Sequence, residues 1–233
     1  MAENSSLVLA AGVPAAKERW PVSLSRTKSI VVCEIAIGYA LIMATLWTER
    51  QYQRWLFWIS AAWFLALAVV TFWRKRPFRL KFPPAGMAAL TIVASAFASA
   101  GLMALAGAVG TLHELFGVKN PLVHAGSYLV WAVVQQYIQQ IFFFTRLEQV
   151  MRNGSLACFA AASMFAVAHL PNPVLTPVTF VGGWLLSELF RRYRTVLPLG
   201  IGHGLVGMAL ALSVPDYLQH HMRVGISYLR YIS

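Results

Sequence analysis

Two histidines, His169 and His203, lie in apolar parts of the chain. A titratable ring is energetically unfavourable there unless it has a function or a specific partner. His169 ends the run FAVAH and is followed by LPNP, in which Asn172 lies between two prolines. Such non-helical backbone is tolerated at membrane depth where it is buried in protein or lines a wet cavity. His203 lies in LPLGIGHGLVG, with Gly202 and Gly204 on either side. Because imidazole can be an acid, a base or an oxyanion donor, two of them could build a hydrolytic site. They could also bind a metal, but two histidines without a third ligand leave any metal unassigned.

A belt of glutamines crosses another apolar segment, VVQQYIQQIFFFTR. Its members are Gln135, Gln136, Gln139 and Gln140. Residues four apart share one face of a helix, and an unsatisfied amide is costly in hydrocarbon. The belt therefore either forms hydrogen bonds that hold helices together or forms one wall of a polar cavity. An amide does not take up a proton near neutral pH, so these side chains cannot act as a general base.

Glutamates in the apolar segments are further candidates for function. Glu188 has Arg191 and Arg192 three and four residues later, a spacing that predicts an ion pair. Glu34 lies a few residues into the first apolar run and has no obvious partner nearby in the sequence. An ionisable residue at such a place marks a function or a specific partner.

The elements that must position these residues are membrane-spanning helices. The chain has 233 residues, of which 58% are hydrophobic and 12% charged, and its mean hydropathy is +0.62. Soluble domains carry about 25% charged residues. Apolar runs of roughly 20 residues predict an all-α, polytopic membrane bundle of about seven transmembrane helices. The predicted spans are about 29–48, 56–73, 85–111, 121–145, 155–170, 174–190 and 196–214.

The basic excess, 19 Lys and Arg against 8 Asp and Glu, follows the orientation of this bundle. Most of the basic residues fall in 17–28, 74–81, 146–152 and 191–194, which share one side if the chain starts in the cytoplasm. Cytoplasmic loops carry such an excess, so we expect the N-terminus inside and the C-terminus outside. The same explanation removes nucleic acid as a partner. We expect an integral membrane protein, with a cytoplasmic segment at 1–28, a transmembrane domain at 29–214 and a tail at 215–233.

Together the motifs resemble those of the CPBP family, the intramembrane proteases related to the CAAX prenyl endopeptidase. F-A-V-A-H at 165–169 matches the family motif F-x-x-x-H. Gln135 and Gln136 lie where the family has E-E-x-x-x-R, and His203 lies where a later helix has H-x-x-x-N. The resemblance covers about 121–214. The HLPNP ending and the size of the chain are similar to bacterial members, which implies a location in the bacterial inner membrane. It implies that a Glu and a His activate water to attack a peptide bond at membrane depth, while the later His and Asn stabilise the oxyanion.

The sequence departs from the family pattern at two motifs. Gln136 approximates a motif glutamate, and Arg146 is farther from it than E-E-x-x-x-R allows. Gly207 stands where the third motif has asparagine. Without a carboxylate, water activation lacks its base unless another group replaces it. The candidates for that replacement are Glu34, Glu148 and Glu188.

The resemblance gives His169, His203 and Gln136 as the catalytic positions of an intramembrane endopeptidase. Its substrate would be a membrane-embedded or membrane-associated protein or peptide. A first alternative is a binding or assembly subunit that keeps the fold but not catalysis, which the missing carboxylate favours and the two histidines oppose. A second is a haem protein with His169 and His203 as axial ligands. Transport is a weaker option, because no repeat or pair of broken helices appears in two halves.

The depths of the two histidines provide a test. His169 is expected near the outer end of its helix, whereas His203 is about 10 Å from the inner start of its own, at 1.5 Å per residue. Their rings can meet only if a helix is tilted, broken or misplaced in this interpretation. Convergence on Gln136 with no carboxylate nearby would favour the inactive subunit.

Overall fold

The computed structural model describes residues 28–74, 85–113 and 120–232, and over these residues it is an all-α membrane bundle. The helices are α1 (Lys28–Trp47), α2 (Arg50–Arg74), α3 (Ala85–Val109), α4 (Pro121–Gln136), a π-helix (Tyr137–Phe144), α5 (Thr145–Val150), α6 (Gly154–Val167), α7 (Leu175–Tyr193), α8 (Leu197–Ser213), α9 (Asp216–Gln219) and α10 (Ile226–Ile232). Each of the seven predicted spans coincides with a helix or with a helical run. The second helix starts earlier than predicted, because the segment interpreted as a connection is already helical from Arg50.

Three of the described helices are long and apolar enough to cross a membrane by length and composition. They are α1, α2 from Arg50 to Val70, and α3. α6 and α8 are apolar but shorter. Most of the N-terminal segment 1–28 and the basic loop after Arg74, on which the predicted orientation largely depends, lie outside the described residues.

The predicted fourth span is a helical run in three parts, α4, the π-helix and α5. It starts at Pro121, after Asn120, whose side chain accepts a hydrogen bond from the amide of Val123 at 3.3 Å. A π-helix is rare and occurs frequently at functional sites. Here it carries Gln139 and Gln140, the second half of the glutamine belt.

Glycines allow α8 to pack closely against α4. A Cβ atom on Gly200 would lie 2.7 Å from the Cα of Val133, and one on Gly204 would lie 2.6 Å from the Cδ1 of Leu129. Gly200 and Gly204 form a G-x-x-x-G, a spacing that favours such close packing of helices. Because His203 lies between these two glycines in sequence, the same packing brings its ring to α4.

The first turn of α8 packs against the core of the bundle on one side, whereas Leu197 is exposed. Leu199, in the first turn, is completely buried in a core cluster with Phe144 and Cys158. His203 follows one turn later and is partly buried. Both histidine rings nevertheless reach Phe165, while the depth of each ring in a membrane stays a prediction.

Asn172 fixes the connection between α6 and α7. It is fully buried, and its Oδ1 accepts hydrogen bonds from the amides of Val174 at 3.0 Å and Leu175 at 2.9 Å, which start α7. Its Nδ2 donates to the carbonyl oxygens of Gln219 at 2.8 Å and Arg223 at 3.0 Å. The Pro-Asn-Pro break is thus buried in protein and joins two helices to the C-terminal segment.

Candidate functional site

Four of the polar residues singled out in the sequence, Gln135, Gln139, His169 and His203, line one cavity of about 830 Å³. Its walls come from α1, α3, α4, the π-helix, α6, α7, α8 and the segment after α9. Most of the lining side chains are apolar. The polar ones are Tyr39, Ser95, Tyr128, Gln135, Gln139, His169, Thr179 and His203. A large apolar cavity with a few convergent polar groups is the usual form of a ligand site.

The two predicted histidines meet at Phe165, the first residue of F-x-x-x-H. The centroid of the Phe165 ring lies 4.7 Å from that of His169 and 5.6 Å from that of His203. Both histidines line the cavity. The structure therefore brings together the two residues that the sequence placed on separate helices.

One nitrogen of His169 is committed to the backbone. Its Nδ1 lies 2.7 Å from the carbonyl oxygen of Phe165. A carbonyl oxygen only accepts hydrogen bonds, so Nδ1 must carry the hydrogen, and Nε2 of the neutral ring keeps its lone pair. His169 can therefore accept a hydrogen bond or a proton from a molecule in the cavity.

His203 is held by the glutamine belt at both nitrogens. Its Nε2 lies 3.3 Å from the Oε1 of Gln135, and its Nδ1 lies 3.5 Å from the Nε2 of Gln136. These contacts fit a ring that donates from Nε2 and accepts at Nδ1. Coordination of a haem iron by His203 would require one of these contacts to break, so the arrangement does not support the haem alternative.

The glutamines also bond to one another in a chain. Gln140 donates to the Oε1 of Gln136 at 3.1 Å, Gln136 donates to Gln139 at 3.3 Å, and Gln139 reaches the carbonyl oxygen of Gly183 at 3.5 Å. Gln136 and Gln140 are completely buried. The belt joins the π-helix to α7 and also forms part of the cavity wall, so both interpretations of the belt apply.

The spacing of the belt accounts for all three charged positions of the family's first motif. When E-E-x-x-x-R is laid on QQYIQQ at 135–140, Gln135 and Gln136 take the glutamate positions and Gln140 takes the arginine position. The arginine position therefore corresponds to Gln140 and not to Arg146, a match that the spacing in the sequence already allows. Two negative charges and one positive charge are thus replaced together by neutral amides that bond to each other.

The three glutamates considered as replacement bases each pair with an arginine. The pairs are Glu34–Arg146 at 2.8 Å, Glu148–Arg194 at 2.6 Å and Glu188–Arg191 at 2.7 Å. The ion pair predicted for Glu188 is confirmed. No carboxylate of the described residues lines the cavity. In this structure, therefore, none of the three supplies the missing base.

Tyr128 occupies the space beside Gly207, the position where the third motif has asparagine. A Cβ atom on Gly207 would overlap the hydroxyl oxygen of Tyr128. Both residues line the cavity, and the hydroxyl group has no hydrogen-bond partner among the described residues. Tyr128 could not be found from the sequence, because its approach to Gly207 depends on how α4 packs against α8.

The donor set does not fit a catalytic divalent metal. No group of three His, Cys, Asp or Glu side chains that could hold a metal ion occurs among the described residues. Zinc sites of hydrolases use three protein ligands. Of the two cavity histidines, only His169 has a nitrogen that is not already hydrogen-bonded to protein.

Residues 117–209 match the family model described as type II CAAX prenyl endopeptidase Rce1-like. No curated protein and no solved structure matches the chain. The matched residues run from the start of α4 into α8 and include the glutamine belt, Phe165, His169 and His203. The match covers 93 of the 233 residues, and over this segment it supports membership of the CPBP family of CAAX-type intramembrane endopeptidases.

Proposed function

We propose that this chain is a non-hydrolytic member of its family that binds an apolar segment of a membrane-associated protein or peptide. The observation that carries the proposal is the contact of Gln135 and Gln136 with the two nitrogens of His203. The family chemistry needs a carboxylate at this motif to take a proton from the attacking water. Glutamine has nearly the same shape and can orient His203, but it cannot take that proton. The glutamines can therefore orient His203, but the site lacks the carboxylate that would act as the general base.

The remaining polar groups suit a peptide unit in an otherwise apolar cavity. Nε2 of His169 can accept a hydrogen bond from an amide N–H, and the hydroxyl of Tyr128 can donate one to a carbonyl oxygen. Apolar side chains such as Leu46, Met164 and Leu185 line the rest of the cavity and can receive apolar side chains or a hydrocarbon chain. Binding therefore needs no group that the site lacks.

The second candidate is a residual endopeptidase in which His169 is the base. The bond from its Nδ1 to Phe165 supports this candidate, because it leaves the lone pair of Nε2 available to water. General-base catalysis by a positioned group typically contributes about 10²–10⁴-fold to the rate. We expect a histidine without the family's carboxylate to supply only part of that factor.

One assay distinguishes the two candidates. The purified full-length chain, in lipid vesicles, is given a farnesylated CaaX peptide that carries a fluorophore and a quencher across the scissile bond. We expect saturable binding without cleavage. The triple variant Gln135→Glu, Gln136→Glu, Gln140→Arg restores the charges of the first motif and should begin to cleave the peptide.

The control for this variant is Gln149→Glu, which makes the same chemical change on α5 outside the cavity lining. It should leave the peptide intact. Cleavage by the unaltered chain that His169→Ala abolishes would reject our proposal in favour of the second candidate. If the peptide binds neither the unaltered chain nor the triple variant, both candidates fail for this class of ligand.

We also infer that the N-terminus faces the cytoplasm and the C-terminus the outside of a bacterial inner membrane. Support comes from the segregation of basic residues along the sequence. A C-terminal alkaline phosphatase fusion should be active and a C-terminal green fluorescent protein fusion dark. The opposite pattern would reverse the orientation.

A further inference from the structure

The C-terminal segment 216–225, here called the strap, crosses the end of the cavity at which His169 lies. Met222 and Val224 of the strap line the cavity together with His169. The strap follows α8 and lies beyond residue 209, where the match to the family model ends. One wall of the cavity thus comes from outside the matched segment.

Hydrogen bonds join the strap to the connection that carries His169. Asn172 donates to the carbonyl oxygens of Gln219 and Arg223, and the amide of Gly225 donates to the carbonyl oxygen of Leu170 at 2.7 Å. Asn172 is three residues after His169. The strap and the free nitrogen of His169 are therefore positioned by the same short stretch of chain.

The strap holds an uncommon backbone conformation. His220, His221 and Met222 have φ angles of 47°, 53° and 61°, three successive non-glycine residues in the left-handed region. Such residues cost free energy and persist only where the surrounding contacts hold them. Gly225, at φ 57°, passes so close to α1 that a Cβ atom would overlap the carbonyl oxygen of Leu46. Loss of the contacts made by Asn172 should therefore release the strap.

We propose that the strap is a gate on the cavity and that Asn172 is its latch. With the latch closed, Met222 and Val224 separate the cavity from the medium at this end. With the latch open, a molecule can reach His169 from that side. The gate concerns access alone, so it stands whether the cavity binds its ligand or cleaves it.

The test measures how fast a small charged thiol reagent reaches the cavity. The reporter is Met164→Cys, a cavity position, in a chain that also carries Cys33→Ala, while the native Cys158 is buried. The probe is the methanethiosulfonate ethyltrimethylammonium ion, and intact mass follows its reaction with the full-length chain in lipid nanodiscs. No ligand is needed, so a negative result bears on the gate and not on the proposed function.

Asn172→Asp opens the latch selectively. The aspartate keeps the oxygen that caps α7 but loses both donors to the strap. We expect the modification rate to rise about tenfold, as two buried hydrogen bonds are lost. The matched control is Asn153→Asp, because Asn153 caps α6 through Ser155 and Leu156 and has no contact with the strap. It should leave the rate unchanged.

A second variant keeps the test decisive if Asn172→Asp does not fold. Gly225→Ala should also raise the rate, because the added methyl group drives the strap away from Leu46. Folding is checked by helical circular dichroism and a single size-exclusion peak. Equal rates in the reporter chain and in every folded strap variant would overturn the gate, as would an equal rise in Asn153→Asp.

Discussion

The hydroxyl group of Tyr128 lies so close to Gly207 that a Cβ atom on this residue would overlap it. Tyr128 is on α4 and Gly207 on α8, one turn after His203. The two helices therefore meet at the cavity wall through a large polar side chain and a residue without one. At a position where the family motif has asparagine, the polar group comes from the neighbouring helix.

This relationship predicts that Gly207 and Tyr128 are energetically coupled. Gly207→Ala should destabilise the chain by about 1–3 kcal/mol, because the added methyl group overlaps the tyrosine hydroxyl. In a Tyr128→Ala background the same substitution should cost clearly less, since the space is then empty. A double-mutant cycle of unfolding free energies in mixed micelles measures the coupling. Strict additivity of the two substitutions would mean that the residues do not share this space.

Gly200 should also resist replacement, because its closest neighbour is a backbone atom. Its Cβ would lie 2.7 Å from the Cα of Val133, and a backbone atom cannot rotate away. Gly200→Ala should therefore cost about 1–3 kcal/mol of unfolding free energy. The matched control is Gly101→Ala on α3, where no atom lies within 4 Å and alanine should stabilise the helix by up to about 1 kcal/mol. Unfolding of both variants under the same conditions checks this, and equal effects would contradict it.

The positions of the helices could be predicted from the sequence because apolar runs long enough to span a bilayer are bounded by charges and prolines. The α8 helix is an example of what apolar runs do not predict, namely how a helix packs in the bundle. Its predicted bounds, 196–214, differ by one residue at each end from the observed Leu197–Ser213, but the packing of Leu199 against Phe144 and Cys158 could not be predicted. Hydropathy reports whether a segment is apolar and not where in the bundle it begins.

The candidate site shows a similar division. The sequence alone could identify His169, His203 and Gln136 as candidate site residues, because polar groups in an apolar segment are energetically unfavourable without a function or a partner. Their convergence on Phe165 and the belt could not, because it depends on the close packing of α8 against α4. Tyr128 and the strap gave no signal at all, since a tyrosine and a C-terminal tail are unremarkable until the fold places them at the cavity.

Gln136 is predicted to be the central member of the hydrogen-bond chain. Gln136→Leu keeps a side chain of similar size but removes the partner of Gln140, Gln139 and His203. Leaving buried polar groups unsatisfied should cost about 1–3 kcal/mol of unfolding free energy. The exposed Gln51→Leu, on α2, should change it by no more than about 0.5 kcal/mol. Similar losses in the two variants would mean that the chain of amides does not stabilise the bundle.

The ion pair between Glu34 and Arg146 should stabilise the bundle far more than the pair between Glu188 and Arg191. Glu34 and Arg146 are each 9% exposed, and the guanidinium group also lies 3.9 Å from the centroid of the Phe142 ring. Removing one partner of a buried pair leaves an uncompensated charge, so Glu34→Gln should cost about 3–5 kcal/mol. Glu188→Gln makes the same change in a more exposed pair and should cost less than about 1 kcal/mol.

Unfolding free energies of the two glutamine variants check this difference. Because Glu34 is on α1 and Arg146 on α5, the pair joins a helix outside the matched family segment to the helical run that carries the glutamine belt. The hydroxyl of Tyr39, also on α1, donates to the carbonyl oxygen of Met164 at 3.0 Å beside the cavity. The prediction is contradicted if Glu34→Gln lowers the unfolding free energy by no more than Glu188→Gln does. In that case α1 is held by apolar packing and by contacts such as that of Tyr39, rather than by its buried charge.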